Sequence, residues 1–442
     1  MAEKERNTMF LAIREALGGL GGELEGDRKA AKRVINRLVQ ILEERVDEPR
    51  MVAKVAYPLR EVIVLAFFGI LGGATTFSAL EQFCRIKEKF FKKFLPLKSG
   101  VPSHDTFNRV FSLLDMDQFN DALVFFISSS FEDLRKVLKI QEPKIKQLCV
   151  DGKEARSSGR VDTVHGEIRN IQTLHVYSVF DSLCLKSVQI EQKSNEIPVA
   201  QRLLATMDLK NTLVSFDAMN TQKETVSVIT AAKGYYLGGL KGNHKSLLSE
   251  AKLYFSDSYL QKAQTDPKLS YQRIEKAHNQ VETSTFTIAK VKLTDDCEFS
   301  DWPNLKAIIR YAKHTIKVNS GKESEEVRYY ITSLDNDAQM CAQAIRDHWQ
   351  IENSLHGFLD VMFLDDENTT VNRRASGNFS ILKKMALSLY KTLKPLEQAK
   401  TLSEIRRAFG WEYEGEVEKL LSLCDSRTLK KALQESSTKK ER

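Results

Sequence analysis

Residues 145–151, IKQLCVD, and residues 212–217, TLVSFD, are short apolar runs that each end on an aspartate. Runs of this length, bounded by polar and turn-forming residues, predict buried strands. Outward from them, similar runs stand at 171–180, 183–190 and 235–240, and helical periodicity occupies 196–207 and 221–233. The expected order is β-β-β-α-β-α-β.

Three strands leading into alternating helix and strand is the order of a ribonuclease-H-like α/β core. After Lys241 further β-rich runs at 280–293, 307–318 and 328–333 predict a β-rich insertion spanning about 256–334, and strong helical periodicity returns over 337–359. Upstream, residues 1–135 carry helical periodicity almost throughout, broken at Gly18-Gly19, Gly21-Gly22 and Gly72-Gly73. The expected fold class is thus α/β, a ribonuclease-H-like catalytic core with a β-rich insertion, preceded by an all-helical N-terminal domain. Its expected domains are 1–135 (helical), 144–394 (core with insertion) and 395–442 (a helical, basic tail).

The chain has 442 residues, 42% of them hydrophobic, enough for a sizeable core. Lys and Arg outnumber Asp and Glu by 66 to 59, a net charge of +7 that suits an anionic partner without identifying one. The six cysteines are scattered and form no CxxC pair, so they read as small core residues of a cytoplasmic protein. Residues 1–6 lack the apolar stretch of a secretory signal. The most apolar run, VIVLAFFGILGGA at 62–74, is shorter than the about 20 residues that cross a bilayer and predicts a buried helix.

Asp151 and Asp217 both follow strand-like runs, and strand ends in open α/β sheets are where ligand sites form. An Asp after a strand also simply starts a turn. Glu352 weighs more. On a straight helix turning about 100° per residue it shares a line with Ala338, Cys341, Ile345, Trp349, His356 and Leu359, which predicts a carboxylate on the buried stripe. Such a group needs a partner or a cation, and Arg346 projects about 120° away. Three carboxylates, Asp151, Asp217 and Glu352, suit two Mg²⁺ or Mn²⁺ ions, which take oxygen ligands, and poorly suit zinc. Asp360, about 80° from Glu352 on a straight helix, is the competing ligand, whereas 365–367 reads as a solvated acidic cluster.

The segments VDGK (150–153), SFDAMNTQ (215–222), LKGN (240–243) and HWQIENSLHGFLDVMF (348–363) resemble insertion-sequence DDE transposases of the H-repeat-associated group. Upstream, 57–74 and 94–115 look like that group's helical N-terminal region, so the resemblance runs from about 47 to 390. It implies a metal-dependent enzyme that cuts and joins double-stranded DNA at transposon ends. Because two ends are joined, a homodimer on DNA is expected. Related transposases often carry a Y-x2-R-x3-E-x6-K signature around the helical Glu; here those flanking positions are Ile345, His348 and Leu359. Lys241, His348, Asn353 and His356 are candidates to grip the DNA phosphates in their place, each with an alternative as a locally satisfied helix or sheet residue.

A second DNA contact is expected near Ser103, a good N-cap ahead of Phe107, Val110, Phe111 and Leu114. The opposite face offers Thr106, Asn108 and Arg109, and a basic helix at 79–94 precedes it. This arrangement fits a helix-turn-helix unit in a major groove as well as ordinary helix packing. Three functions share these residues: an active transposase, a domesticated DDE-type nuclease or recombination factor, and a non-catalytic DNA-binding derivative. Retention of all three carboxylates argues against the last.

Overall fold

The computed structural model describes residues 9–17, 26–51, 53, 55–161, 168–190, 195–277, 279–291, 297–335, 337–370, 372–397 and 400–440. Among the described residues seven α-helices come first: α1 (Met9–Leu17), α2 (Arg28–Arg45), α3 (Leu59–Leu71), α4 (Phe77–Ile86), α5 (Glu88–Phe91), α6 (His104–Leu113) and α7 (Met116–Leu138). Strands β1 (Lys146–Val161), β2 (Ile168–Ser178) and β3 (Leu183–Ile190) follow. Next come α8 (Glu196–Ala205), β4 (Thr212–Phe216), α9 (Lys223–Ala231), β5 (Tyr235–Leu240), α10 (Lys245–Leu253) and α11 (Asp257–Gln264). Four strands, β6 (Ser270–Ala277), β7 (Gln280–Lys290), β8 (Ala307–Lys317) and β9 (Glu323–Thr332), precede α12 (Ala338–His348) and a π-helical turn (Ile351–His356). Helices α13 (Gly357–Phe363), α14 (Arg373–Leu393), α15 (Leu402–Trp411), α16 (Tyr413–Leu423) and α17 (Ser426–Lys440) complete it.

These elements form two compact units that do not follow chain order. One contains Met1–Pro143, Lys153–Gln189 and Glu352–Arg442; the other contains Lys144–Gly152 and Ile190–Ile351. In the first unit α14 is the hub, buried from Ala375 to Leu393 and packed against α3, α6, α7, α13, α15 and α16. Its Asn378 amide donates to the carbonyls of Phe111 and Leu114, satisfying acceptors that the end of α6 leaves open. The N-terminal helices are joined to β2 and β3 in the same unit: Arg135 pairs with Asp181 at 2.7 Å, and Asn120 donates to the Leu185 carbonyl at 2.8 Å. The strand order there is β3-β2-β1.

In the second unit the order runs β1-β4-β5-β9-β8-β7-β6. β1, β4 and β5 are parallel, and β9 joins β5 antiparallel, so β6–β9 extend the sheet through their last strand. Helix α12 lays Ala338, Cys341, Ala342 and Ile345 onto Leu213, Leu237, Ile309 and Tyr311 of that sheet. Burying apolar area of this kind contributes about 25 cal/mol per Å². The protein is a mixed α/β fold with a large sheet. All six cysteines are buried and free. Among the described residues no helix is long and apolar enough to cross a membrane.

Candidate metal centre and DNA-facing residues

Five fully buried residues, TLVSF, make β4, and Gly238 on β5 lets Thr221 close over it: a Cβ on Gly238 would lie 2.7 Å from Thr221 Oγ1. That hydroxyl is 2.9 Å from the carbonyls of both Asp217 and Gly239. The turn after β4 is therefore fixed to β5, and Asp217 with it. Asp217 Oδ1 accepts the backbone N–H of Met219 at 3.0 Å and of Asn220 at 3.1 Å, an Asx turn. No described residue hydrogen-bonds Oδ2.

Asp151 stands one register step beyond the pair Val150–Phe216, as Asp217 does, so the two aspartates occupy neighbouring positions on strands about 4.8 Å apart. Both are half-buried. Asp151 does not end its strand as expected; β1 continues to Val161, and only its pairing with β4 stops there. The last turn of α12 is tied to the same strands. Gln147 Nε2 donates to the Ala344 carbonyl at 2.8 Å and to Ser215 Oγ at 3.0 Å, Cys149 Sγ donates to the Asp347 carbonyl, and His348 Nδ1 lies 3.1 Å from Ser215 Oγ.

His348 is half-buried against β4. Burial drives its pKa down to about 4, opposed by the Asp217 charge and aided by Lys241, so at neutral pH it is not a cation gripping a phosphate. His356 lies 2.9 Å from His175, and burial with Lys153 and Lys384 nearby lowers its pKa to about 3. Thr106 is buried too, its hydroxyl against Ser103 Oγ, and leaves the DNA-facing set. Lys241, Asn353, Asn108 and Arg109 are exposed. Ser103 caps α6 as expected, but the basic helix at 79–94 is two helices broken at Lys87, and Lys92 and Lys93 are engaged with Glu88 and Glu414.

Glu352 is exposed, not on a buried stripe. The straight-helix arithmetic fails at the π-helical turn, where one extra residue per turn advances the phase by about 100°. The buried line becomes Ile351, Leu355 and Leu359, and Glu352 turns outward. Glu352 belongs to the first unit, whereas Asp151 and Asp217 belong to the second. Asp360, the competing ligand, is engaged by Lys153 at 2.6 Å.

One carboxylate escaped the sequence reading. Glu196, the first residue of α8, accepts Asn220 Nδ2 at 2.5 Å. Burial raises its pKa, the Asn220 hydrogen bond opposes that, and the Asp217 charge adds to it. An acidic residue at a helix start has an ordinary explanation in the helix dipole, which is why composition did not single it out. Among the described residues no three His, Cys, Asp or Glu side chains stand together closely enough to hold a metal. The neighbouring Asp151 and Asp217 nevertheless offer oxygen donors of the kind that Mg²⁺ and Mn²⁺ prefer.

Residues 142–389 match the family described as Transposase DDE domain, and 41–127 match the family described as DDE_Tnp_1-associated. The chain belongs to the Transposase DDE domain family and is a DNA transposase. It is similar to "Putative transposase YncI" of Escherichia coli O157:H7, with 29% identity over 86% of this chain and 93% of the relative. "H repeat-associated putative transposase YhhI" of Escherichia coli (strain K12) is 28% identical over 78% of this chain and 88% of its own. An "Uncharacterized protein in dhlA 3'region" of Xanthobacter autotrophicus is 31% identical over 66% of this chain and 94% of its own. A solved piggyBac transposase synaptic complex with hairpin DNA aligns over 89% of this chain and 84% of its own at 13% identity, with a TM-score of 0.32, too loose an overlap to inform the fold.

Proposed function

We propose that the chain catalyses metal-dependent cleavage and strand transfer at the ends of a transposon, with Asp151, Asp217 and Glu352 as the carboxylates that hold the metal. The observation that carries this reading is the neighbouring placement of Asp151 and Asp217 at the ends of the β1–β4 pairing, with Asp217 Oδ2 left unbonded by the described residues. Glu352 follows His348 by four residues, just past the helix whose last turn is bonded to β1 and β4. The parallel β1–β4–β5 core with α8 and α9 supports a ribonuclease-H-like catalytic domain.

Two bound Mg²⁺ or Mn²⁺ ions supply activation of a water or a 3′-hydroxyl and stabilisation of the leaving oxygen. The chain's own part is to fix the ligands. The Asx turn aims Asp217, the β1 register sets Asp151 beside it, and Lys241 after β5 adds a cation for the DNA backbone. Asn108 and Arg109 on α6, with His348, Asn353 and His356, are the remaining DNA contacts of this reading, with residues 1–135 recognising the ends. Two chains pair on DNA because two ends must be joined, and the protein works in the bacterial cytoplasm, associated with the nucleoid when bound to DNA. The test is sequencing the products formed from purified protein, Mg²⁺ and DNA carrying the element's native flanks. Cut and rejoined ends are expected. Cleavage without joining would indicate a nuclease, and binding without cleavage a non-catalytic derivative.

A further inference from the structure

Asn220 is fully buried, and its side-chain amide faces two acids at once: Nδ2 lies 2.5 Å from Glu196 Oε1 and 3.4 Å from Asp217 Oδ1. An amide nitrogen carries two N–H groups, enough for one to each carboxylate. On its other side Glu196 borders the residue after Asp151. A Cβ on Gly152 would fall within 2.9 Å of the Glu196 carboxyl carbon, so the glycine is what leaves room for that carboxylate. Glu196 thus hydrogen-bonds Asn220, three residues after Asp217, and lies beside Gly152, the residue after Asp151, while its own place is fixed by the Asn195 cap of α8.

We infer that Glu196 is a positioning residue for the Asp151–Asp217 pair, acting through Asn220; this rests on the reading of that pair as the metal-holding site. The Glu196 carboxylate holds the Asn220 amide with its N–H groups outward. That amide, with two backbone N–H groups, keeps Asp217 Oδ1 turned inward and Oδ2 presented. Without the acceptor at 196 the amide is free to rotate, and its oxygen can turn toward Asp217 and repel it. Displacement of a reacting group by about 1 Å costs on the order of a hundredfold in rate.

The test uses the full chain with Glu196→Ala, Glu196→Gln, Asn220→Ala, Gly152→Ala and the double variant of Glu196→Ala with Asn220→Ala. Three quantities are measured: cleavage of end DNA against Mg²⁺ concentration, Mn²⁺ affinity from the rise in melting temperature without DNA, and fold by circular dichroism. Glutamine keeps an oxygen acceptor for Asn220, so Glu196→Gln should stay within about threefold of the unmodified chain in rate and in Mn²⁺ affinity. Glu196→Ala, Asn220→Ala and Gly152→Ala should each lose about ten- to a hundredfold in cleavage and bind Mn²⁺ more weakly. The double variant should be no worse than the poorer single one. Where an alanine variant does not fold, Gly152→Ala, which displaces the carboxylate without altering any charge, carries the test.

Normal cleavage and Mn²⁺ affinity in folded Glu196→Ala and Asn220→Ala would overturn the inference. So would a Glu196→Gln protein as inactive as Asp217→Asn, because the charge rather than the hydrogen bond would then matter. Unimpaired cleavage by Asp151→Asn and Asp217→Asn would instead overturn the reading of the pair itself.

Discussion

Replacing Asp217 with asparagine separates folding from chemistry at one atom. Oδ1 accepts two backbone N–H groups at 3.0 and 3.1 Å and faces the Asn220 amide at 3.4 Å. An asparagine at 217 must place its oxygen there, since the flipped amide would forfeit two hydrogen bonds worth about 1 kcal/mol each. A 2 kcal/mol preference is a population ratio of about 30 to 1. The NH₂ group is therefore held at the position of Oδ2, where it cannot ligate a cation. Stability should stay within about 1 kcal/mol, while loss of the charge should lower cleavage by about three powers of ten or more, roughly 4 kcal/mol. Asp217→Ala, by contrast, should lose cleavage and also about 1–2 kcal/mol of stability with the capped turn. The assay is single-turnover, Mg²⁺-dependent nicking of end DNA, beside thermal melting and gel-shift binding in Ca²⁺. If Asp217→Asn nicks at the unmodified rate, Oδ2 is not a ligand and the candidate centre is wrong.

Glu352→Gln should melt within about 0.5 kcal/mol of the unmodified chain, because the side chain is exposed, and should fail at cleavage; Asp360→Asn, which leaves Lys153 its Asp366 partner at 3.3 Å, should keep substantial activity. The reverse result for that pair would move the assignment to Asp360. Acid should destabilise the protein through its buried neutral histidines. With folded pKa values of about 3 for His356 and about 4 for His348, the unfolded chain binds more protons, so this stability is complete above pH about 6.5 and is lost as pH falls toward those values. At pH 5 each costs about 2 kcal/mol, and the melting temperature of His356→Gln should depend less on pH between 5 and 7.5. Asp365→Ala leaves the Lys383 ammonium, 1% exposed and 3.0 Å from Asp365 in the parent, without that partner; about 3–5 kcal/mol should be lost by denaturant melting, and Lys383→Met with Asp365→Leu should restore most of it.

Strands whose burial is uniform were legible in the sequence, and those with mixed surroundings were not. TLVSF of β4 is buried at every residue and matches its expected limits, whereas β6, SYQRIEKA, is a polar edge strand with no apolar run to reveal it. Helices α10 and α11 are short, and α11 lies inside the stretch expected to be β-rich, announced by little more than Ser256, whose hydroxyl accepts the Tyr259 N–H. Helical periodicity in 1–135 identified helices but not their partners, since sequence spacing does not say that α3, α6 and α7 pack on α14, over 230 residues later. Composition gives no sign of a π-helical turn, so the burial of Glu352 was misread. Glu196 was missed for another reason: its significance lies in Asn220 and Gly152, which are distant in sequence and share no motif with it.

Exposure of Glu352 changes the reason for choosing it without removing the choice. Burial was expected to single out the ligand, because a buried carboxylate needs compensation. The buried and half-buried acids near it already have that compensation: Asp365 from Lys383, Asp360 and Asp366 from Lys153, and Asp347 from Gln343 and Gln350. Each of these is occupied in holding the fold. A carboxylate that must meet a hydrated cation and a DNA phosphate has to reach solvent and keep an oxygen free of internal donors. Among the described residues, none hydrogen-bonds the Glu352 carboxylate or Asp217 Oδ2. The useful discriminator is thus a carboxylate that no described Lys or Arg pairs rather than a buried one, and by it Glu352 and Asp217 stand apart from Asp360, which Lys153 holds at 2.6 Å, where helical geometry alone separated Glu352 from Asp360 by only about 80°.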